Sequence, residues 1–129
     1  MTLALIASLY MRLAQAEDAW GRKAADVSIV WSDLGPCDRE GTTLSIAQPV
    51  DTTFTFDDGT KFTSRAWTIS VNSRCDWEHR FSLDLAVLHE VGHTLGLGHS
   101  ADRRSVMFKM QTGGKQKITK QDRQMLQRP

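Results

Sequence analysis

The chain has 129 residues, one domain's worth by length. Hydrophobic residues make up 40% and charged residues 24%, a globular composition that excludes a disordered chain. Sixteen basic and fifteen acidic side chains leave a net charge of +1, which removes the electrostatic case for a nucleic-acid partner. No apolar run reaches the roughly 18–20 residues of a membrane span, and two cysteines are too few for a disulfide-rich miniprotein or a four-cysteine zinc site.

The first residues admit two readings. Leu3–Tyr10 followed by Ala14-Gln15-Ala16 resembles a secretory signal, with a short apolar stretch and an A-x-A arrangement. Against it, no basic residue precedes the stretch, and Arg12 follows it. Leu5, Leu9, Leu13, Ala16 and Trp20 recur at steps of three and four, which lines one face of a helix, and this reading is preferred. Gly21 ends the helix. Val27, Ile29 and Trp31 alternate within a strand at Asp26–Trp31. A loop rich in turn formers, including Asp38 and Gly41, leads to a second strand at Thr42–Ala47 that Pro49 stops. Thr53–Phe56 and Lys61–Ser64 flank Asp57-Asp58-Gly59, a hairpin signal, and Trp67–Val71 is a further strand. Ser82 caps a helix running from Leu83 to Leu95, and Gly96 closes it. Thr119-Lys120-Gln121-Asp122 opens a last short helix in capping-box style, with Asp in place of Glu. Nothing divides the chain, so residues 1–129 are read as one domain.

The chemistry lies in His89-Glu90-Val91-Gly92-His93. Residues four apart share a helix face, so His89 and His93 can direct two imidazoles at one metal ion. Glu90, one step round, can reach a water on that ion without being a ligand. An open tetrahedral zinc site needs a third protein ligand. His99 stands six residues on, after Gly96, which can take positive φ and turn the chain back. A later glutamate could serve elsewhere, but none follows Glu90. Asp102 has the wrong spacing beside an available His99, and Asp122 is remote. The metal ligands are therefore read as His89, His93 and His99, with Glu90 as the catalytic base.

The stretch HEVGHTLGLGHS resembles the metzincin zinc endopeptidases, and the matrixins in particular, with Ser100 after the third histidine. The resemblance implies an α+β fold of zincin type. A small mixed, mostly parallel sheet would pack on an N-terminal helix and an active-site helix, with a short C-terminal helix. It implies one catalytic Zn2+, and a turn at Ser105-Val106-Met107 that sets Met107 beneath it. Gly41–Pro49 resembles the edge strand along which an extended peptide or protein substrate lies, and Ala25–Ile29 and Ile118–Asp122 resemble further family elements. The specificity pocket would be bounded by Phe108–Ile118. The implied activity is zinc-dependent hydrolysis of peptide bonds in an extracellular or secreted, monomeric protein. The alternative is a zinc-bound domain that binds peptides without turnover. If the strands before Cys37 and Cys75 are parallel neighbours, as the resemblance implies, a disulfide can join the two; two free thiols are the other reading. There are departures from the family pattern. Two strands expected around the first helix are not found. Lys109 stands where an aromatic residue is commonly followed by proline. Only His79 remains for a second zinc, which is not expected. Calcium at Asp57-Asp58-Gly59 has no clear motif, and a solvated turn is preferred there.

Overall fold

The structure, a computed structural model, describes residues 3–24, 26–37 and 42–126, with side chains from residue 8 onward. Ala25, Asp38 and Gly41, which the sequence assigns to a strand start and a loop, lie outside the described residues. The elements are α1 (Leu3–Trp20), β1 (Val27–Ser32), β2 (Ser45–Thr55), β3 (Lys61–Asn72), α2 (Leu83–Thr94) and α3 (Lys120–Leu126).

The helical periodicity of the first segment is realised. Leu9, Leu13, Ala16 and Trp20 are buried along one face of α1. Trp20 also donates its indole N–H to the Leu88 carbonyl at 2.8 Å, fixing α1 against α2. Gly21, at φ +73°, ends the helix as expected.

The sheet has the order β1-β3-β2, with β1 parallel and β2 antiparallel to β3. It is mixed, and the antiparallel pairing is the longer. Ile29, Ile69 and Val71 fill its inner face and pack with Val87 and Val91 of α2, Leu9 of α1 and Met107.

Four short strands expected between residues 42 and 71 are two long ones. β2 continues through Pro49, and β3 runs unbroken from Lys61. Proline is tolerated because β2 is an edge strand. Pro49 lies opposite Trp67, whose N–H points the other way, to the Asp26 carbonyl of the chain leading into β1. Position 49 is therefore a non-hydrogen-bonded pair, and its missing N–H would have faced outward. The hairpin turn is as expected. Phe56 N–H donates to the Thr60 carbonyl, and Gly59 takes φ +87°.

One end of the sheet is tied twice. Cys37 and Cys75 form a disulfide, which decides between the two readings of the cysteines. Beside it, buried Asn72 donates to the carbonyls of Gly35 and Thr43 and accepts from the amides of Leu34 and Arg74. All four bonding positions of this one amide are used, so it sets the loops entering β2 and leaving β1. Those loops fix where β2 starts, and β2 forms one wall of the site.

Candidate metal centre

α2 starts where Ser82 caps it, its hydroxyl accepting from Leu85 N–H at 3.2 Å. The Gln111 side chain clasps the Ser82 main chain from both sides, accepting from its N–H and donating to its carbonyl. The first half of α2 and the segment 106–111 are thereby held side by side. At the far end, Gly96 at φ +99° stops the helix, and Leu97 N–H returns to the Gly92 carbonyl at 3.0 Å. The chain reverses there, and His99 comes back over α2.

His89, His93 and His99 converge as the spacing predicts. Their candidate ligand atoms all lie within 4.8 Å of one another. The ring centroids are 4.7, 5.3 and 5.0 Å apart for the pairs 89–93, 89–99 and 93–99. Asp102 is not part of this group. It is engaged with Arg104 by two side-chain bonds. His79 is bonded to Asp76 on the surface, and Asp58 accepts from Thr60 N–H within the hairpin turn.

The partners of the rings decide their tautomers. His89 Nδ1 is 2.7 Å from the Val106 carbonyl, and His93 Nδ1 is 2.8 Å from the Leu97 carbonyl. A carbonyl only accepts, so each neutral ring carries its proton on Nδ1 and its lone pair on Nε2. Those two Nε2 atoms are 3.1 Å apart. Two lone pairs facing each other at that distance have no proton to share, and a cation between them satisfies both. This donor set of three imidazoles, two of them oriented by backbone carbonyls, suits zinc.

The turn behind the histidines is rigid. Phe108 N–H donates to the Ser105 carbonyl, and Met107 is fully buried with its sulfur against Gly92. Ser105 donates to Asp122 at 2.6 Å and accepts from Met107 N–H. Asp122 also accepts from Thr119 N–H, while Thr119 accepts from Asp122 N–H, so the capping box of α3 is the anchor of the methionine turn.

Glu90 is buried and reaches β2, where Ser45 donates its hydroxyl to Oε2 at 2.6 Å. Burial pushes the Glu90 carboxyl above its ordinary range, and the Ser45 bond acts the other way. Burial is also the main reason that His89 and His99 lie below the ordinary imidazole range, with the neighbouring histidines adding to it. Sequence reasoning missed Ser45, Gln111, Trp20 and Asn72. Ser45 left a faint signal, a hydroxyl at the same strand parity as Ala47 and so on the helix-facing side.

A cleft of about 1190 Å3 runs past these groups. One wall is β2 with Ser45, Ala47 and Pro49; the other is α2 and the segment from Val106 to Gln111. The sequence model of the matrixin family matches residues 11–128.

The chain belongs to the matrixin family.

A 28-residue stretch is 54% identical to Metalloendoproteinase 1 of Glycine max, covering 22% of the chain and 9% of that protein. The matched stretch is thus about a tenth of that relative's length. Matrixins are metallopeptidases, most of them extracellular, and the family implies zinc at the histidine triad and a peptide substrate. Among the described residues no helix of this matrixin is long and apolar enough to cross a membrane.

Metal loading of this matrixin has a predictable pH dependence. A metal must displace any proton on its ligands. Because the folded-state pKa values of His89 and His99 are lowered, those two rings stay neutral as pH falls through 6.5. Below that pH, log affinity for zinc should fall less steeply than for three ordinary imidazoles, whose slope rises toward about three only well below their pKa. Competition against a chromogenic chelator measures this, and a fall as steep as that of three ordinary imidazoles would contradict it.

Proposed function

We propose that residues 1–129 are a single catalytic domain of a zinc-dependent endopeptidase, monomeric and acting outside the cell. The observation that carries the reading is the pair of opposed Nε2 lone pairs beside a buried carboxylate in an open cleft. His89, His93 and His99 hold the ion. Zinc bound there supplies Lewis acidity, acidifying a water and polarising a peptide carbonyl. Glu90 takes the proton of the attacking water and delivers it to the leaving nitrogen as the carbon–nitrogen bond breaks. Its raised pKa brings it toward the value a base needs near neutral pH.

The substrate lies extended along the free edge of β2 by strand addition. The register supports this placement. The even-numbered residues of β3 bond β2, as Asn72 N–H does with the Leu44 carbonyl, while Ser45, Ala47, Pro49 and Asp51 turn their main chain outward. A bound peptide would find amides and carbonyls there, except that Pro49 has no N–H and the Ala47 N–H faces the Glu90 carboxylate.

Digestion of casein or gelatin tests the proposal. The zinc-loaded chain should cleave, a chelator should abolish cleavage, and added zinc should restore it, with one zinc per chain by mass spectrometry. Zinc and peptide binding without cleavage would instead favour a recognition domain.

A further inference from the structure

We propose that this cleft selects an acidic substrate, with carboxylate side chains in the residues that follow the cut; the inference rests on the peptidase reading above. The wall of the cleft opposite β2, which the matrixin resemblance assigns to the residues after the cut, includes Val106, Lys109 and Gln116. Between Asp102 and Asp122 the chain carries Arg103, Arg104, Lys109, Lys115, Lys117 and Lys120 and no acidic residue. The whole chain has a net charge of only +1, so the rest of it is net negative, and of these six cations Lys109 lines the cleft.

The positions of these cations sharpen the argument. Arg104 is neutralised by Asp102. Arg103 lies over the ring of Phe108, 5.2 Å from its centroid, and Phe108 lines the cleft. Lys109 itself lines the cleft, is exposed, and pairs with no acid among the described residues. Glu90, the one acidic residue lining the cleft among the described residues, is buried and bonded to Ser45. Arg65, across the cleft, is held by two bonds to Asp51. Among the described residues Lys109 is thus the uncommitted cation of the cleft.

The side pocket does not supply an alternative anchor for a carboxylate. The cleft lining near Lys109 includes Leu85, Val106 and Met110, and buried Gln116 already donates its amide to the carbonyls of Arg103 and Met110. The pocket therefore takes an apolar side chain, and an acidic neighbour meets Lys109 at the mouth. Charge complementarity of this kind acts on encounter and selectivity, and it weakens as salt screens it.

Two labelled peptides test the proposal, alike around a central Ala-Leu pair but with Glu or Gln at the residues after the Leu. Binding is measured to the zinc-loaded Glu90→Gln chain, and cleavage with the intact chain. At low salt the Glu peptide should bind about tenfold more tightly, an advantage lost near half-molar salt. Lys109→Glu, at an exposed position, should reverse the order. Equal affinities, or an advantage that survives Lys109→Glu, overturn the acidic preference. Cleavage of both peptides at equal rates also overturns it, while leaving the peptidase reading intact. A binding preference of the expected sign with no cleavage of either peptide supports the selectivity and defeats the peptidase reading.

Discussion

Glu90→Gln should leave the chain folded and loaded with zinc while lowering peptide hydrolysis by about 10²–10⁴-fold. Glutamine has the same shape, and its amide oxygen can still accept the Ser45 hydroxyl that now meets Oε2 at 2.6 Å. His89 and His93 keep their carbonyl partners at Val106 and Leu97, so the ligand set is untouched. What is lost is the ability to take a proton. The effect should therefore fall on kcat with KM little changed, because substrate contacts along β2 do not involve the carboxylate charge. Zinc content by mass spectrometry and melting temperature are the controls. Activity within tenfold of the parent, at equal zinc content, would place the base elsewhere. Loss of zinc together with activity would instead make Glu90 part of the metal's support.

The site was far more legible in the sequence than the sheet, and the reason is physical. Local rules govern the histidines. Spacing of four on one helix places His89 beside His93, and a single left-handed glycine brings His99 round. Those rules need no knowledge of distant residues. The sheet depends on pairings across the chain. Pro49 reads as a strand stop in isolation, and becomes harmless only once β2 is known to be an edge strand. The disulfide stayed open for the same reason, since it needs Cys37 and Cys75 to end at the same side of a parallel pair. The contacts that position the site were hidden altogether. Ser45 meets Glu90 from 45 residues away and Trp20 meets Leu88 from 68 away, and neither bond leaves a periodic trace. The helix of residues 3–20 was legible because burial of Leu9, Leu13, Ala16 and Trp20 follows the helical period.

Gly92→Ala should destabilise the chain even though alanine is the better helix former. In an unencumbered helix interior the exchange gains about 1 kcal/mol. Here a Cβ at position 92 would overlap the Met107 sulfur and sit 3.0 Å from a ring carbon of Trp20. Both neighbours are buried. Trp20 is held by its bond to the Leu88 carbonyl, while the Met107 thioether is confined by the packed core around it and its main chain by Ser105. Overpacking of a filled core costs about 1–3 kcal/mol, enough to outweigh the helix gain, and Gly92→Val should exceed it. The strain has a functional path. Relief requires the methionine turn to move, and Val106, one residue before Met107, carries the carbonyl that orients His89. Loss of such an orienting contact lowers metal affinity by about 10–100-fold. Gly92→Ala should therefore melt earlier and bind zinc more weakly, and Gly92→Ala combined with Met107→Ala should recover part of the zinc affinity by opening the space the new methyl needs. Thermal unfolding and chelator competition on the single and double variants measure both effects. A Gly92→Ala chain as stable as the parent, with unchanged zinc affinity, would mean that the turn yields freely and does not set the histidine.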